Sequence, residues 1–483
     1  MSFLDNDYKL EETQRLEFKE AQGGLPEDIW ETYSAFANTE GGEIVLGVSE
    51  PDPGTFLLVG VPNASELEDA FWRDMRNTNK VERDVMFGDG VSTVSRDGLD
   101  FLVITVPRAE RGDKPVRVYD RRQKSMVAWV RRGSADKRAT EPDLNLMTYD
   151  KASSADRRAL DRYGLGDLCP QTISRYRTLF ASRMPQSPWI NEPEEDFLFH
   201  IGAAARGNTG KLCPTRAGLL AFGQEYIITD YLPRYLLDYR EEVSGADRWD
   251  DRIVSQSGDW SGNIVDFYLD VTGKLKSHFK APFGADEYGT AHAPRNPITE
   301  AINEALVNAL AHAYYGDSCT VCAVLASDRL TVTNPGGFLI DRDVALAGGI
   351  SETRNPTLMR ILSFIGAGDR AGSGLQKIWR VWQDAYDETP LLEETHSPSA
   401  VRLTLPIPHV ALRSEPAEKP RPSVPTEDIV EFVERAGAPV SANDVQAAMG
   451  ISLRVAQKRL KQLSDEKKLS REKKGTAWVY VAR

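Results

Sequence analysis

Three groups of side chains in this chain have the types and spacing to do chemistry. Glu12, Glu17 and Glu50 stand at the ends of short elements near the N-terminus. Carboxylates that converge in this way can hold Mg²⁺ or Mn²⁺ on a phosphate. Glu304, Asn308 and His312 recur at i, i+4 and i+8, which sets them in a row along one helix face. An Asn oxygen can join the shell of Mg²⁺ bound to phosphates, and a neighbouring Glu can orient water. Near the C-terminus, Arg454, Gln457, Lys458 and Lys461 share one side of a helix, followed by Arg471, Lys473 and Lys474. Arg and Gln can read base edges in a major groove, while the later cations suit phosphates.

Each group implies elements that position it. From Arg15 to Lys19, polar and apolar residues alternate as in a half-buried strand. A helix is expected next, with Pro26 in its first turn and Ile29, Trp30, Tyr33 and Phe36 on its apolar face. Asn38-Thr39-Glu40-Gly41-Gly42 ends it, since the glycines permit a tight reversal and a close backbone approach. The apolar run Ile44 to Val48 then reads as a buried strand ending at Ser49-Glu50.

The run of Glu17-Phe18-Lys19, the SAFANTEGG helix end and IVLGV resembles the signature of the AlbA-type domain of Schlafen proteins and many bacterial regulators. The resemblance implies an AlbA-like α/β domain over residues 1–145 that binds nucleic acid. In nuclease members three acidic residues and a divalent metal cut RNA. Those acids fall on Glu12, Glu17 and Glu50, the last where such members carry Asp. Arg117, Arg131 and Arg132, beside Tyr119 and Trp129, suit a groove that tracks a nucleic-acid backbone.

The Glu304 helix leads into two strands, then Asn334-Pro335-Gly336-Gly337 and later Gly372-Ser373-Gly374. That order resembles the Bergerat α/β sandwich of GHKL ATPases. It resembles more closely the divergent ATP-binding domain, often labelled helicase-related, that follows AlbA-type domains in bacterial regulators. By this resemblance Glu304 orients water, Asn308 binds Mg²⁺ and Asn334 stands where an Asp reads the adenine amine; ATP and Mg²⁺ are the implied cofactors. Two short motifs are decoys. Gly207 to Lys211 lacks the spacing of a phosphate loop, and Cys319-x-x-Cys322 has no second pair to complete a zinc site. No Walker motif is present, so no helicase is expected.

The division expected is an AlbA-type domain at 1–145, a connecting α/β region at 150–290, an ATP-binding-like domain at 291–410 and a Pro-rich linker at 411–425. Residues 426–483 read as helix, helix-turn-helix and hairpin, and resemble a winged helix. The class is therefore α+β multidomain. A net charge of −13 excludes a protein that merely coats DNA, so nucleic acid must meet local basic patches. No apolar run approaches a membrane span, and four cysteines over this length make no disulfide framework, which points to the cytoplasm. The expected role is a DNA-binding transcriptional regulator whose partner is DNA rather than RNA, dimerising as winged-helix regulators do to match two half-sites. The alternative is a metal-dependent nuclease acting in defence against foreign nucleic acid.

Overall fold

The computed structural model describes residues 10–279 apart from 153 and 246–247, and residues 296–408 apart from 317–319, 350–351, 369–373 and 397. In the tail it describes 426–449, 456–457, 460–461, 463–464, 468–474 and 477–482. The class is mixed α+β with several sheets, in two units, Met1–Leu412 and Arg413–Arg483. No described helix is long and apolar enough to cross a membrane.

The larger unit opens with β1 (Leu16–Lys19), α1 (Ile29–Asn38), β2 (Gly42–Leu46), β3 (Val48–Asp52), β4 (Thr55–Leu58) and α2 (Ala64–Met75). It continues through β5 (Val91–Arg96), β6 (Leu99–Val106), β7 (Arg117–Asp120), β8 (Ser125–Arg132), β9 (Ala135–Arg138) and α3 (Glu141–Lys151). Strand β1 lies parallel to β2, and β6 and β5 extend the sheet antiparallel. Helix α1 covers one face, burying Trp30, Tyr33 and Phe36, while Phe18, Val45 and Phe101 fill the other.

Two expectations for this stretch need correction. Pro26 precedes the helix rather than opening it: α1 starts at Ile29, whose amide already bonds back to Pro26. The run from Ile44 to Val48 is not one strand. Gly47 takes φ +106, and a Cβ there would meet Gly60 at 2.9 Å and Phe101 at 3.0 Å. At that residue the chain leaves the sheet, and β3 pairs with β4 as a separate hairpin.

Next come α4 (Pro170–Arg183), α5 (Glu194–Ile201), β10 (Ala204–Arg206), β11 (Leu212–Pro214), α6 (Arg216–Phe222), α7 (Glu225–Tyr231), β12 (Leu237–Glu242), β13 (Asp251–Val254) and α8 (Ile264–His278). Helix α5 stops at Gly202, which is left-handed, and β10 follows. The stretch Gly207 to Lys211 is the turn between β10 and β11, as its missing phosphate-loop spacing implied.

The remainder comprises α9 (Pro297–His312), β14 (Val321–Ala326), β15 (Arg329–Pro335), α10 (Arg342–Ala347), α11 (Pro356–Phe364), α12 (Gly374–Tyr386), β16 (Leu391–His396) and β17 (Ser399–Pro406). Six strands form one sheet in the order β13-β12-β14-β15-β17-β16. Because β12 pairs in parallel with β14, this sheet joins what the sequence reading divides at residue 290. A single core, including Phe197, Phe222, Phe267, Leu306 and Trp382, lies under it. Cys322 sits in β14, its thiol pushed up to about 11 by burial; Cys319 lies outside the described residues.

In the smaller unit, α13 (Thr426–Ala436), β18 (Val440–Ser441) and α14 (Ala442–Met449) precede the hairpin β19 (Leu469–Lys474) and β20 (Ala477–Ala482). The strands order β18-β20-β19. Ile429, Val433, Val445, Ala456, Leu460, Leu463 and Tyr480 make its core.

Candidate functional site

The polar residues of the N-terminal signature act first as cross-links. Asn38, buried at the end of α1, donates to the carbonyls of Val116 and Trp129 at 2.9 Å and accepts from the Val116 amide at 2.8 Å. Ser34 donates to Val116 O and accepts from Trp129 N, and Thr39 accepts from Arg131 N. Thus α1 and its cap residue Thr39 satisfy backbone groups of β8 and of Val116, the residue before β7. Trp129 is accordingly a core residue rather than a stacking platform.

The three N-terminal acids occupy one neighbourhood. Glu12 accepts from the Phe18 amide at 3.0 Å. Burial raises its pKa, and the charges of Glu17 and Glu50 add to the rise. Glu17 sits 3.1 Å from Lys19 and 2.8 Å from the buried guanidinium of Arg131. Glu50 accepts from the Gly54 amide at 2.7 Å within its own hairpin. Among the described residues, the acid and imidazole groups gathered within 4.8 Å of one another are Glu40, Glu394 and His396, a different set.

Arg131 was expected to meet nucleic acid, and the structure corrects this. Its side chain is 1% exposed, pairs with Glu17 and Asp136, and lies over the Phe36 ring. It is the internal counter-charge of the domain. Arg132 also turns inward, onto Asp143 at 3.0 Å and the His396 carbonyl. Arg117 remains partly exposed, 3.4 Å from Glu82.

A second groove gathers most of the central set. Glu304, Asn308 and His312 from α9 line it with Asn334, Gly337, Leu339, Met359 and Gly374. Proline at the first turn and a row of alanines and leucines drive α9 into the core, so its polar row faces this groove. Burial, with Arg354 nearby, lowers the His312 pKa to about 4, which keeps its ring neutral near pH 7. Asn334 is buried and its Nδ2 donates to the Pro335 carbonyl at 3.3 Å, leaving Oδ1 as the remaining acceptor. At Gly374 a Cβ would come within 2.2 Å of Glu304 Oε1 and 3.2 Å of Asn308 Nδ2, so a larger residue there would push the Glu304 carboxylate aside. Gly372 lies outside the described residues.

Of the Gly336-Gly337 turn only Gly337 lines the groove, and both glycines also have a structural task. Gly336 has φ +87 and does not line the groove; a Cβ there would meet Arg354 at 2.7 Å. A Cβ on Gly337 would meet Glu394 Oε1 at 2.0 Å. The two glycines let Arg354 and Glu394 close against the backbone. Arg354 binds Asp150 at 2.6 and 3.0 Å, the Gly337 carbonyl at 2.9 Å and the His312 carbonyl. Asn355 beside it donates to the carbonyls of Ala311 and Ala313 and accepts from Tyr149. Arg354-Asn355 is thus a clamp between α9, α3 and the Gly turn.

That clamp belongs to a seam between the N-terminal module and the six-stranded sheet, which no local sequence pattern marks. His396 bonds Glu40 at 2.9 Å, and Arg15 holds the same carboxylate at 3.0 Å. Glu394 accepts from the Phe338 amide at 3.0 Å, with Arg108 at 3.8 Å. Both carboxylates therefore already have cationic or amide partners. Their cluster with His396 is a latch rather than a vacancy for a cation.

In the tail, Gln457, Lys461, Arg471 and Lys473 are exposed, and Arg471 stacks on the exposed Trp478 ring at 4.9 Å. Lys474 ends strand β19. Arg454 and Lys458 lie outside the described residues.

Three stretches match protein-family models. Residues 12–140 match "Schlafen, AlbA_2", residues 145–238 a "Domain of unknown function (DUF8451)", and residues 321–405 "Putative ATP-dependent DNA helicase recG C-terminal". A Schlafen AlbA_2 domain and a RecG C-terminal-like, ATPase-type domain are thus present, as the N-terminal and central motifs led one to expect. Together they indicate a nucleic-acid-related protein. Among solved structures, the DIP2311 protein from Corynebacterium diphtheriae is similar over 96% of this chain and 92% of its own, at 18% identity and TM-score 0.40. The N-terminal domain of a "Putative ATP-dependent DNA Helicase RecG-related Protein" from Nitrosomonas europaea aligns with 27% of this chain and 86% of its own, at 25% identity and TM-score 0.21. No curated protein matches the chain.

Proposed function

We propose that this chain is a DNA-binding regulator in which a nucleotide held by a GHKL-like central domain adjusts two nucleic-acid-binding modules. The observation that carries this reading is the groove where Glu304, Asn308, Asn334 and Gly374 meet. The residues fit ATP with Mg²⁺: Asn334 keeps an acceptor for an adenine amine, and Gly374 lets Glu304 and Asn308 close against the backbone at the groove wall. Asn308 would hold Mg²⁺ on the phosphates, and Glu304 would orient water should hydrolysis occur. The tail, read as a winged helix, would place Gln457 and Lys461 at a major groove, with Arg471 and Lys473 on phosphates. A dimer of such tails would match paired half-sites.

The test is calorimetry of the full chain with ATP and Mg²⁺, followed by duplex affinity with and without nucleotide. Nucleotide binding that Asn308→Ala removes, together with a nucleotide-dependent change in duplex affinity, is the expected result. Absence of any nucleotide binding by the full chain defeats the proposal.

A nuclease reading is favoured by one observation, that Glu17 and Glu50 lie near enough to Glu12 to add to the rise in its pKa that burial begins. Labelled RNA and DNA left intact by the full chain with Mn²⁺ would dismiss it.

A further inference from the structure

We infer that the seam between the N-terminal module and the six-stranded sheet contains a binding site for the phosphate group of a small, freely diffusing ligand. This inference is independent of the nucleotide reading of the neighbouring groove. The cavity there holds about 90 Å³. At roughly 10–15 Å³ for each water position, that is room for several waters, and so for a phosphate group.

Its lining is cationic from both sides. Arg108, Arg111, Lys114 and Arg132 come from the N-terminal module and Arg354 from the central domain. The carboxylates that also line it are already engaged: Asp143 with Arg132, Asp150 with Arg354, and Glu394 with the Phe338 amide. Two cations retain capacity. Arg108 gives one nitrogen to the Phe338 carbonyl, yet its Nε is shut off from solvent without a hydrogen-bond partner. Lys114 donates to the carbonyls of Asn38 at 2.7 Å and Thr39 at 3.4 Å rather than to a carboxylate, which leaves part of its donor capacity unused.

Such an arrangement is costly when empty. Arg132, Arg354 and Arg111 have carboxylate partners in Asp143, Asp150 and Glu352, and Arg108 has Glu394 at 3.8 Å, so the cost falls on the buried donor left without an acceptor. Burial, and then the neighbouring Arg108, hold the Lys114 pKa well below its ordinary value. A phosphate would supply acceptors to Arg108 Nε and Lys114 Nζ at once, and charge-assisted bonds of this kind are the stronger ones. Because the walls come from both modules, the ligand would also bind them to each other.

The experiment is isothermal titration of the full chain with inorganic phosphate and with pyrophosphate, against sodium chloride at matched ionic strength. Saturable binding is expected, weakened at least tenfold by Arg108→Gln and by Lys114→Met but retained in Asn308→Ala. Cooperative melting of each variant checks its fold. If the first two variants fail that check, Arg111→Gln, at the more exposed rim, replaces them and must weaken binding. Absence of saturable phosphate binding overturns the site, as does binding that survives these changes. Loss of binding in Asn308→Ala would move the phosphate to the adjacent groove. If only a single-stranded oligonucleotide, and neither free anion, responds to Arg108→Gln and Lys114→Met, the site belongs to a nucleic-acid backbone and the inference fails.

Discussion

Arg131 lies 2.8 Å from Glu17, inside the N-terminal domain, with 1% of its side chain exposed. The contact is close but off the hydrogen-bond line, since Glu17 Oε2 has no hydrogen-bond partner. It is an ion pair in a low-dielectric setting, and it gives Glu17 a structural duty whatever its chemistry. Removing Glu17 leaves Arg131 with Asp136, at 2.9 Å, as its remaining carboxylate partner. Glu17→Ala should therefore lower stability in urea unfolding by less than about 3–5 kcal/mol, the usual range for leaving a buried charge with no partner. Glu17→Gln, which keeps a polar group there, should cost less. A nuclease test read from Glu17→Ala alone would confuse unfolding with lost catalysis; Glu12→Gln is the cleaner probe.

Asn38 satisfies two carbonyls and one amide across the domain. Asn38→Ala would strand those groups in the interior, each at about 1–3 kcal/mol. The expected loss is at least about 2 kcal/mol, seen as a lower urea midpoint with unchanged slope. An unchanged midpoint would show that the backbone finds other partners.

This residue also marks how far the sequence could be read. The strand, helix and Gly-Gly turn were legible because periodicity and glycine placement act locally. The role of Asn38 was not, since its partners lie 78 and 91 residues away. The same holds for the break at Gly47, where an apolar run conceals a steric demand made by Gly60 and Phe101. In the central groove, helical spacing alone aligned Glu304, Asn308 and His312. The pairing of β12 with β14, and the bond from Glu40 to His396, join distant segments that carry no mutual signal.

The seam should be acid-sensitive. The hydrogen bond from His396, opposed by burial and supported by Arg15, takes the Glu40 pKa from 4.5 to about 2. A carboxyl depressed on folding contributes stability that is complete above its unfolded pKa and is lost as pH falls through the folded one. The Glu40 contribution should thus fade between pH 4.5 and about 2. Glu40→Gln should flatten the wild-type decline in melting temperature across that window.

Gly337→Ala should loosen the same seam, because its Cβ would displace the Glu394 carboxylate from the Phe338 amide. Overpacking of this kind costs about 1–3 kcal/mol. Faster hydrogen exchange at Phe338 in the variant is the expected reading.

For the tail, Arg471→Ala and Lys473→Ala should each weaken duplex binding regardless of sequence and reduce the salt slope by about one. Gln457→Ala should leave the slope unchanged and relax sequence preference instead. Identical slopes in all three variants would remove these cations from the interface.

Gly337, Phe338 and Leu339 line both the seam cavity and the groove of Glu304 and Asn308. The two chambers are therefore separated by a party wall one strand of backbone thick. An occupant that pushes Phe338 from one side changes the room available on the other. Linkage makes that influence mutual and equal in free energy for binding. Crosstalk between the chambers needs no long relay through the fold, because the partition is itself the connection.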